Sequence, residues 1–431
     1  MIGLAGIAIM LFLIFTRMWV GFSMMLVGII GCGLLSSWTS VFSMAGTFGY
    51  SKMADYSMSC IPLFIFMGSI LYQTGLGTDI YVAVRVWLSR IRGGLAMATV
   101  TACGIFAAIC GDSVATAVTL GKVAYPEMMK YKYGDKLASC SVTAGGTLGI
   151  LIPPSIPFII YGAITETSIG KLFIAGIIPG ITQLLFYIIT ILVWSKMEPG
   201  IAPKAFSTSM KEKLKSTKPI LPILVILAVM IGGLYGGLFT PTEAGAFSAA
   251  SVMVVALCIG RLNKETLFNS VKDGMATACM VFFLVLGAYF FTRFMILTDL
   301  PEYLSGTIIA VKDTYSIPVT GIIILIVVFY IFIGCFLDIL AALLLTIPII
   351  FPIITSLGLD PIWWGVIMVR VMEIGMITPP FGLNLFAMSK TVEIPIGKLY
   401  RGVWPFLVAD VCHVLLLVLV PSLSLWLPAN M

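Results

Sequence analysis

Charge is what this sequence has least of. Asp, Glu, Lys and Arg make up only 10% of its 431 residues, whereas an ordinary soluble domain carries about 25%. With 60% apolar residues, a water-soluble globule is excluded. No polar stretch is long enough for a soluble domain on either side of a bilayer. Histidine occurs once, at His413, which rules out a histidine-built metal or haem site. The nine cysteines form no C-x-x-C pair and lie mostly in apolar runs, so they read as small apolar fillers. No G-x-x-x-x-G-K-[ST] occurs, which removes an ATP-hydrolysing module. Residues from Ile2 onward are apolar but lack a charged n-region and a small-residue cleavage site, so they read as a first span.

Long apolar runs are abundant instead. They fall near 2–15, 18–36, 59–75, 93–131, 139–165, 172–195, 219–239, 242–260, 275–298, 316–358, 362–389 and 403–427. The runs 93–131 and 316–358 are about twice the ~20 residues that one crossing needs. Each is interrupted at its middle, the first by Gly111-Asp112-Ser113, the second by Gly334-Cys335 and Asp338. A run that enters, breaks and returns is a helical hairpin. The chain is therefore expected to be an all-α polytopic membrane protein with ten crossings and two re-entrant hairpins.

Basic residues give the orientation. One set of loops, near 17, 76–92, 130–138, 196–218, 261–274 and 390–402, holds 19 of the 25 Lys and Arg. The other set holds Lys52, Lys171 and Lys312. The positive-inside rule makes the basic side cytoplasmic and both termini periplasmic or extracellular. The net charge of +6 is explained by these loops and by lipid, with no need of nucleic acid.

The two halves match at a shift of 226 residues. Asp112 falls on Asp338, Pro126 on Pro352, Gly149 on Gly375, Pro153-Pro154 on Pro379-Pro380, Gly176 on Gly402 and Pro179 on Pro405. Each of these residue types has a specific backbone or charge role, so the coincidence carries weight. Five crossings per copy is an odd number, so the second copy lies upside down, an inverted repeat. The expected division is 1–195 for the first repeat, 196–218 for a cytoplasmic linker and 219–431 for the second. Two amphipathic stretches, Thr78–Arg92 and Asp299–Ser316, are expected to lie in the interface plane.

Four places combine helix breakers with polar atoms: Cys110 to Ala117, Gly145 to Ser155, Gly334 to Asp338 and Glu373 to Asn384. Tandem prolines remove two N–H donors and should unwind each helix. Carbonyls freed at bilayer depth need a partner, which a sodium ion can supply. Candidate cation ligands are Gly111, Asp112, Ser113, Thr147 and Gly149 at one site, and Gly334, Asp338, Gly375 and Thr378 at the other. Ser113, Ser155, Asn384 and Arg370 are candidates for an anionic substrate held between them. Asp112 and Asp338 either cap the following helix or bind the cation, and the two roles are compatible. Arg370 either neutralises Glu373 three residues on or meets a substrate carboxylate. His413 reads as buried and uncharged. Lys122 and Arg293 snorkel or pair.

These motifs resemble the large membrane subunit of the tripartite ATP-independent periplasmic (TRAP) transporters. The resemblance rests on I-P-L-F-I-F-M-G at 61–68, G-T-L-G-I-L-I-P-P-S-I-P-F-I-I-Y-G at 146–162, A-G-I-I-P-G at 175–180, G-L-F-T-P-T-E-A-G-A at 237–246 and I-T-P-P-F-G-L-N-L-F at 377–386. It implies sodium-coupled import of an organic acid such as a C4-dicarboxylate, sialic acid or another sugar acid. It implies two partners, a small four-helix membrane subunit and a periplasmic substrate-binding protein, and a place in the bacterial inner membrane. The implied fold is an elevator, in which the two hairpins and two Pro-Pro helices move against a scaffold made of the remaining spans. The family usually has Gly-Ser-Ser or Ser-Gly-Ser at the first tip, so Asp112 is an added carboxylate. Other readings are a stand-alone carboxylate symporter or exporter, and an intramembrane enzyme, for which no nucleophile–base set is evident.

Overall fold

The computed structural model describes residues 2–203 and 208–431, so Lys204 of the linker and the side chain of Lys52 lie outside the description. Every regular element among the described residues is helical. The chain opens with α1 (Ile2–Phe15), α2 (Val20–Leu35), α3 (Trp38–Met53) and α4 (Cys60–Gln73). An arm, α5 (Leu76–Leu88), leads to the first hairpin, α6 (Gly94–Cys110) and α7 (Ser113–Lys130). A broken span follows, α8 (Asp135–Gly146) and α9 (Ile156–Thr165), and then the long α10 (Ile169–Met197). The linker carries α11 (Met210–Thr217).

The order then recurs. Three helices, α12 (Leu221–Tyr235), α13 (Pro241–Cys258) and α14 (Lys264–Leu297), precede a second arm, α15 (Leu300–Thr314). The second hairpin is α16 (Val319–Phe336) and α17 (Ile339–Ser356), and the second broken span is α18 (Pro361–Ile377) and α19 (Leu383–Thr391). The chain ends with α20 (Ile396–Gly402), α21 (Trp404–Leu419) and α22 (Ser422–Ala429). Each half thus runs arm, hairpin, broken span, closing helix, an order compatible with a repeat.

The breaks fall where local chemistry demands them. Gly111 ends α6 at φ +68°, a left-handed conformation that a Cβ disfavours, and its N–H donates to the Ala107 carbonyl at 2.7 Å. Asp112 then turns extended and its carboxylate accepts from Ala115 N–H, capping α7. Asp338 caps α17 in the same way, accepting from Leu340 N–H. Both tandem prolines interrupt their spans, and Ser155 caps the restart at α9.

Among the described residues six helices are each long and apolar enough to cross a bilayer, or eight counting two bent pairs as single spans. Two of the eight, α16 and α17, are the limbs of the second hairpin; the other six, with α1 and α2 at 14 and 16 residues and the two spans cut short by their own breaks, make the ten expected crossings. The helix α3 lies outside the expected apolar runs. Residues 38–53 have little apolar periodicity, yet α3 forms there, started by the Ser37 side chain accepting from Ser40 N–H.

Polar contacts between distant segments keep to one side. Asp135 meets Lys398, Asp79 meets Arg261, Arg85 meets Glu127, and the linker carbonyls of Pro199, Ala202 and Thr208 accept from Arg92 and Arg90. All of these come from the basic loops or the helix ends next to them. Thr242 with Tyr56, Tyr235 with Asn430, and Ser305 with Ser356 join the other set.

The helices pack as two groups. α1, α2, α4, α12, α13 and α14 form one, and the hairpins and broken spans form the other. The family resemblance implies that α10 and α21 belong to the scaffold. The packing instead sets both among the broken spans, through a buried polar cluster described below.

Candidate substrate and ion site

Each break lies directly on a hairpin tip. A Cβ on Gly149 would stand 1.9 Å from the Ala107 Cβ, and one on Gly146 would stand 2.9 Å from the Ser113 carbonyl oxygen. In the second half a Cβ on Gly375 would stand 2.4 Å from the Gly334 carbonyl carbon, and one on Gly334 2.8 Å from the Met372 carbonyl oxygen. Three of the glycines proposed as carbonyl ligands, Gly149, Gly334 and Gly375, therefore let the backbones of tip and break touch.

All four features converge on one cavity of about 320 Å³. Its wall includes Gly111, Asp112 and Ser113 of the first tip, Asp338 of the second, Ile150 and Ile156 beside the first break and Met376 beside the second. The other wall is Ser69 and Tyr72 of α4 with Asp273 and Thr277 of α14, at the ends of those helices nearest the basic loops. A larger cavity of about 700 Å³ opens on the opposite face, around Asp55, Glu166 and Thr240, but contains neither tip nor break. The smaller cavity is the candidate site.

Two proposed residues carry buried polar atoms that lack a partner. The Ser113 hydroxyl and both side-chain polar atoms of Asn384 are buried without a hydrogen bond. Such atoms cost about 1–3 kcal/mol each in isolation, so both side chains are open to a further partner. Thr147 and Thr378 are already engaged, donating to the carbonyls of Ala144 and Ile374 at 2.7 and 2.6 Å, although their oxygens can still accept. Ser155 is buried and spends its oxygen capping α9. Thr147, Gly149, Ser155, Gly334, Gly375, Thr378 and Asn384 lie behind the cavity wall rather than on it.

Arg370 is elsewhere. It is fully buried and donates to Asp410 at 2.5 Å, to Glu373 at 3.4 Å and to His413 at 3.3 Å. Asp410 also accepts from Gln183, and His413 bonds Thr182 at 2.8 Å. This cluster ties α18 to α21 and α10, so the structure does not bring Arg370 to the cavity. Gln183 and Asp410 are not among the expected site residues, although a lone polar residue in an apolar run is a readable signal. Neither are Asp273 and Ser69, which look like ordinary helix-end residues until the fold faces them toward the tips.

Interrupted helices that meet at a carboxylate-bearing cavity inside a multi-pass helical protein define a transport permease. A family model, "Tripartite ATP-independent periplasmic transporter, DctM component", matches residues 7–423, and the chain belongs to that family. It is 35% identical over 383 residues to a C4-dicarboxylate TRAP transporter large permease of Pseudomonas aeruginosa, covering 88% of each chain. It is 30% identical over 418 residues to a sialic acid TRAP transporter large permease of Vibrio cholerae, covering 96% of each. A crystal structure of the YdaH transporter of Alcanivorax borkumensis shares the fold, with TM-score 0.64 at 14% identity over 90% of this chain and 89% of that one. These relatives are transport proteins, not enzymes.

Proposed function

We propose that this chain is the permease of a sodium-coupled, binding-protein-dependent importer that moves a small organic acid across the bacterial inner membrane by an elevator motion. The observation that carries this reading is the single cavity shared by both hairpin tips and both broken spans. Sodium would fill the acceptor sites at each tip-and-break pair, with Ser113, Thr147 and Thr378 oxygens beside the freed carbonyls. The substrate would then enter between the two tips. The relatives are named for chemically different solutes, a C4-dicarboxylate, sialic acid and ectoine. A small membrane subunit and a periplasmic binding protein complete the transporter, and both termini face the periplasm.

Coupling needs the empty and fully loaded bodies to cross while the partly loaded one stays. The division of the helices into two packed groups supplies two candidate bodies, with α5 and α15 as arms between them. Reconstitution into proteoliposomes with both partners tests the reading. Uptake should require an inward sodium gradient and the binding protein. Ser113→Ala and Thr378→Ala should each raise the sodium concentration for half-maximal uptake several-fold. Unchanged sodium dependence in both variants would refute the ion sites, and uptake without the binding protein would favour a stand-alone symporter.

A further inference from the structure

The candidate cavity is lined by three carboxylates, Asp112, Asp273 and Asp338, and by no Lys, Arg or His. None of the three makes an ion pair among the described residues. Asp112 and Asp338 accept from backbone N–H groups of their own helices, and Asp273 accepts from Gln73 Nε2 at 2.6 Å. The same wall holds the Ser113 hydroxyl, 2% exposed and unpartnered, and the unpartnered Ser69 hydroxyl.

Charge arithmetic decides what such a cavity admits. A helix N-terminus is worth about half a positive charge. Those of α7, α9 and α17, whose first residues all line the cavity, therefore offset about one and a half of the three negative charges. Two sodium ions would neutralise the remainder. A dicarboxylate would then leave about one and a half uncompensated negative charges, whereas a zwitterion leaves the site close to balance. We infer that the substrate is a zwitterionic organic acid, a small carboxylate bearing an ammonium-type nitrogen. Its cationic end faces Asp112 and Asp273, and its carboxylate takes the Ser113 hydroxyl. This rests on the transport reading above and narrows its substrate class.

Cys110 lines the cavity and reports on its occupancy. The full chain, with the exposed Cys258, Cys279 and Cys412 changed to Ser, is treated with a maleimide in sodium buffer. The probes are three solutes of matched length: succinate, 4-aminobutyrate and 1,4-diaminobutane. Protection of Cys110 by 4-aminobutyrate, with succinate without effect, is the expected result. Asp112→Asn keeps the helix cap and should weaken that protection about tenfold, the scale of one charge-assisted hydrogen bond. Protection by succinate as strong as by 4-aminobutyrate, strongest protection by the diamine, or protection by none of the three would overturn the inference. The sodium reading is scored separately. If replacing sodium by potassium leaves the alkylation rates unchanged, sodium coupling fails and the charge argument fails with it, whereas sodium-dependent rates with succinate protecting overturn the zwitterion inference alone.

Discussion

Glycine at the tip-and-break contacts is a matter of space. At Gly375 the obstacles to a Cβ are the Gly334 carbonyl carbon at 2.4 Å and its Cα at 2.5 Å, both main-chain atoms that no rotamer change can move. Gly375→Ala should therefore force the second tip away from its broken span. Overpacking of this kind costs about 1–3 kcal/mol, read as a lower melting temperature in detergent. Serine at the same position should be no better, because the clash is with the first side-chain atom. A melting temperature equal to the parent's would mean that the tip yields freely and that the contact is not a constraint. Asp112 and Asp338 are the opposite case, since a cap can be swapped. Asparagine accepts the same N–H bonds, so Asp338→Asn should fold with a loss of less than about 1 kcal/mol, read by the same thermal unfolding.

At the scale of elements, the buried cluster holds α18, α21 and α10 together. Arg370 faces two carboxylates, Glu373 and Asp410, all fully buried. Arg370→Met would strand both acids, and removing one partner of a buried ion pair costs about 3–5 kcal/mol. The triple change Arg370→Met, Glu373→Gln and Asp410→Asn should recover most of that loss, because the desolvated charges go together. Thermal unfolding of the three proteins, parent, single and triple variant, in detergent separates the cases. A single Arg370→Met as stable as the triple would show that the cluster is not held by charge. The contrast between this cluster and the breaks explains what the sequence made legible. Pro153-Pro154, Pro379-Pro380, Gly111 and Asp338 act on their own backbone, so their effect is written within a few residues of where they stand. Thr182 and His413 are 231 positions apart, and nothing local pairs them. For that reason the breaks are legible in the sequence, while the packing of α10 and α21 against the broken spans is not. The α4 and α14 wall of the cavity was hidden for the same reason, because Asp273 gains meaning only from the tips it faces.

The whole molecule joins its two packed groups mainly through the arms and through the faces of α4 and α14. On the α4 face the close point is Gly68, where a Cβ would stand 2.9 Å from the Cα of Cys110 at the first tip. If the groups slide past one another, this contact belongs to one end of the motion, the end where the cavity borders the parts of α4 and α14 nearest the basic loops. Gly68→Leu cannot be accommodated here, since its neighbours are the backbone of Ile109 and Cys110. An elevator has somewhere else to go. The variant should populate another position of the tip, alkylate faster at Cys110 in the exposed-cysteine-free background, transport more slowly, and lose little thermal stability. A rigid bundle has no alternative. In that case Gly68→Leu should lower the melting temperature as a core overpacking does, and the folded fraction should alkylate at the parental rate. The two outcomes differ in both readouts, so a single substitution at the boundary decides whether the two groups move as separate bodies.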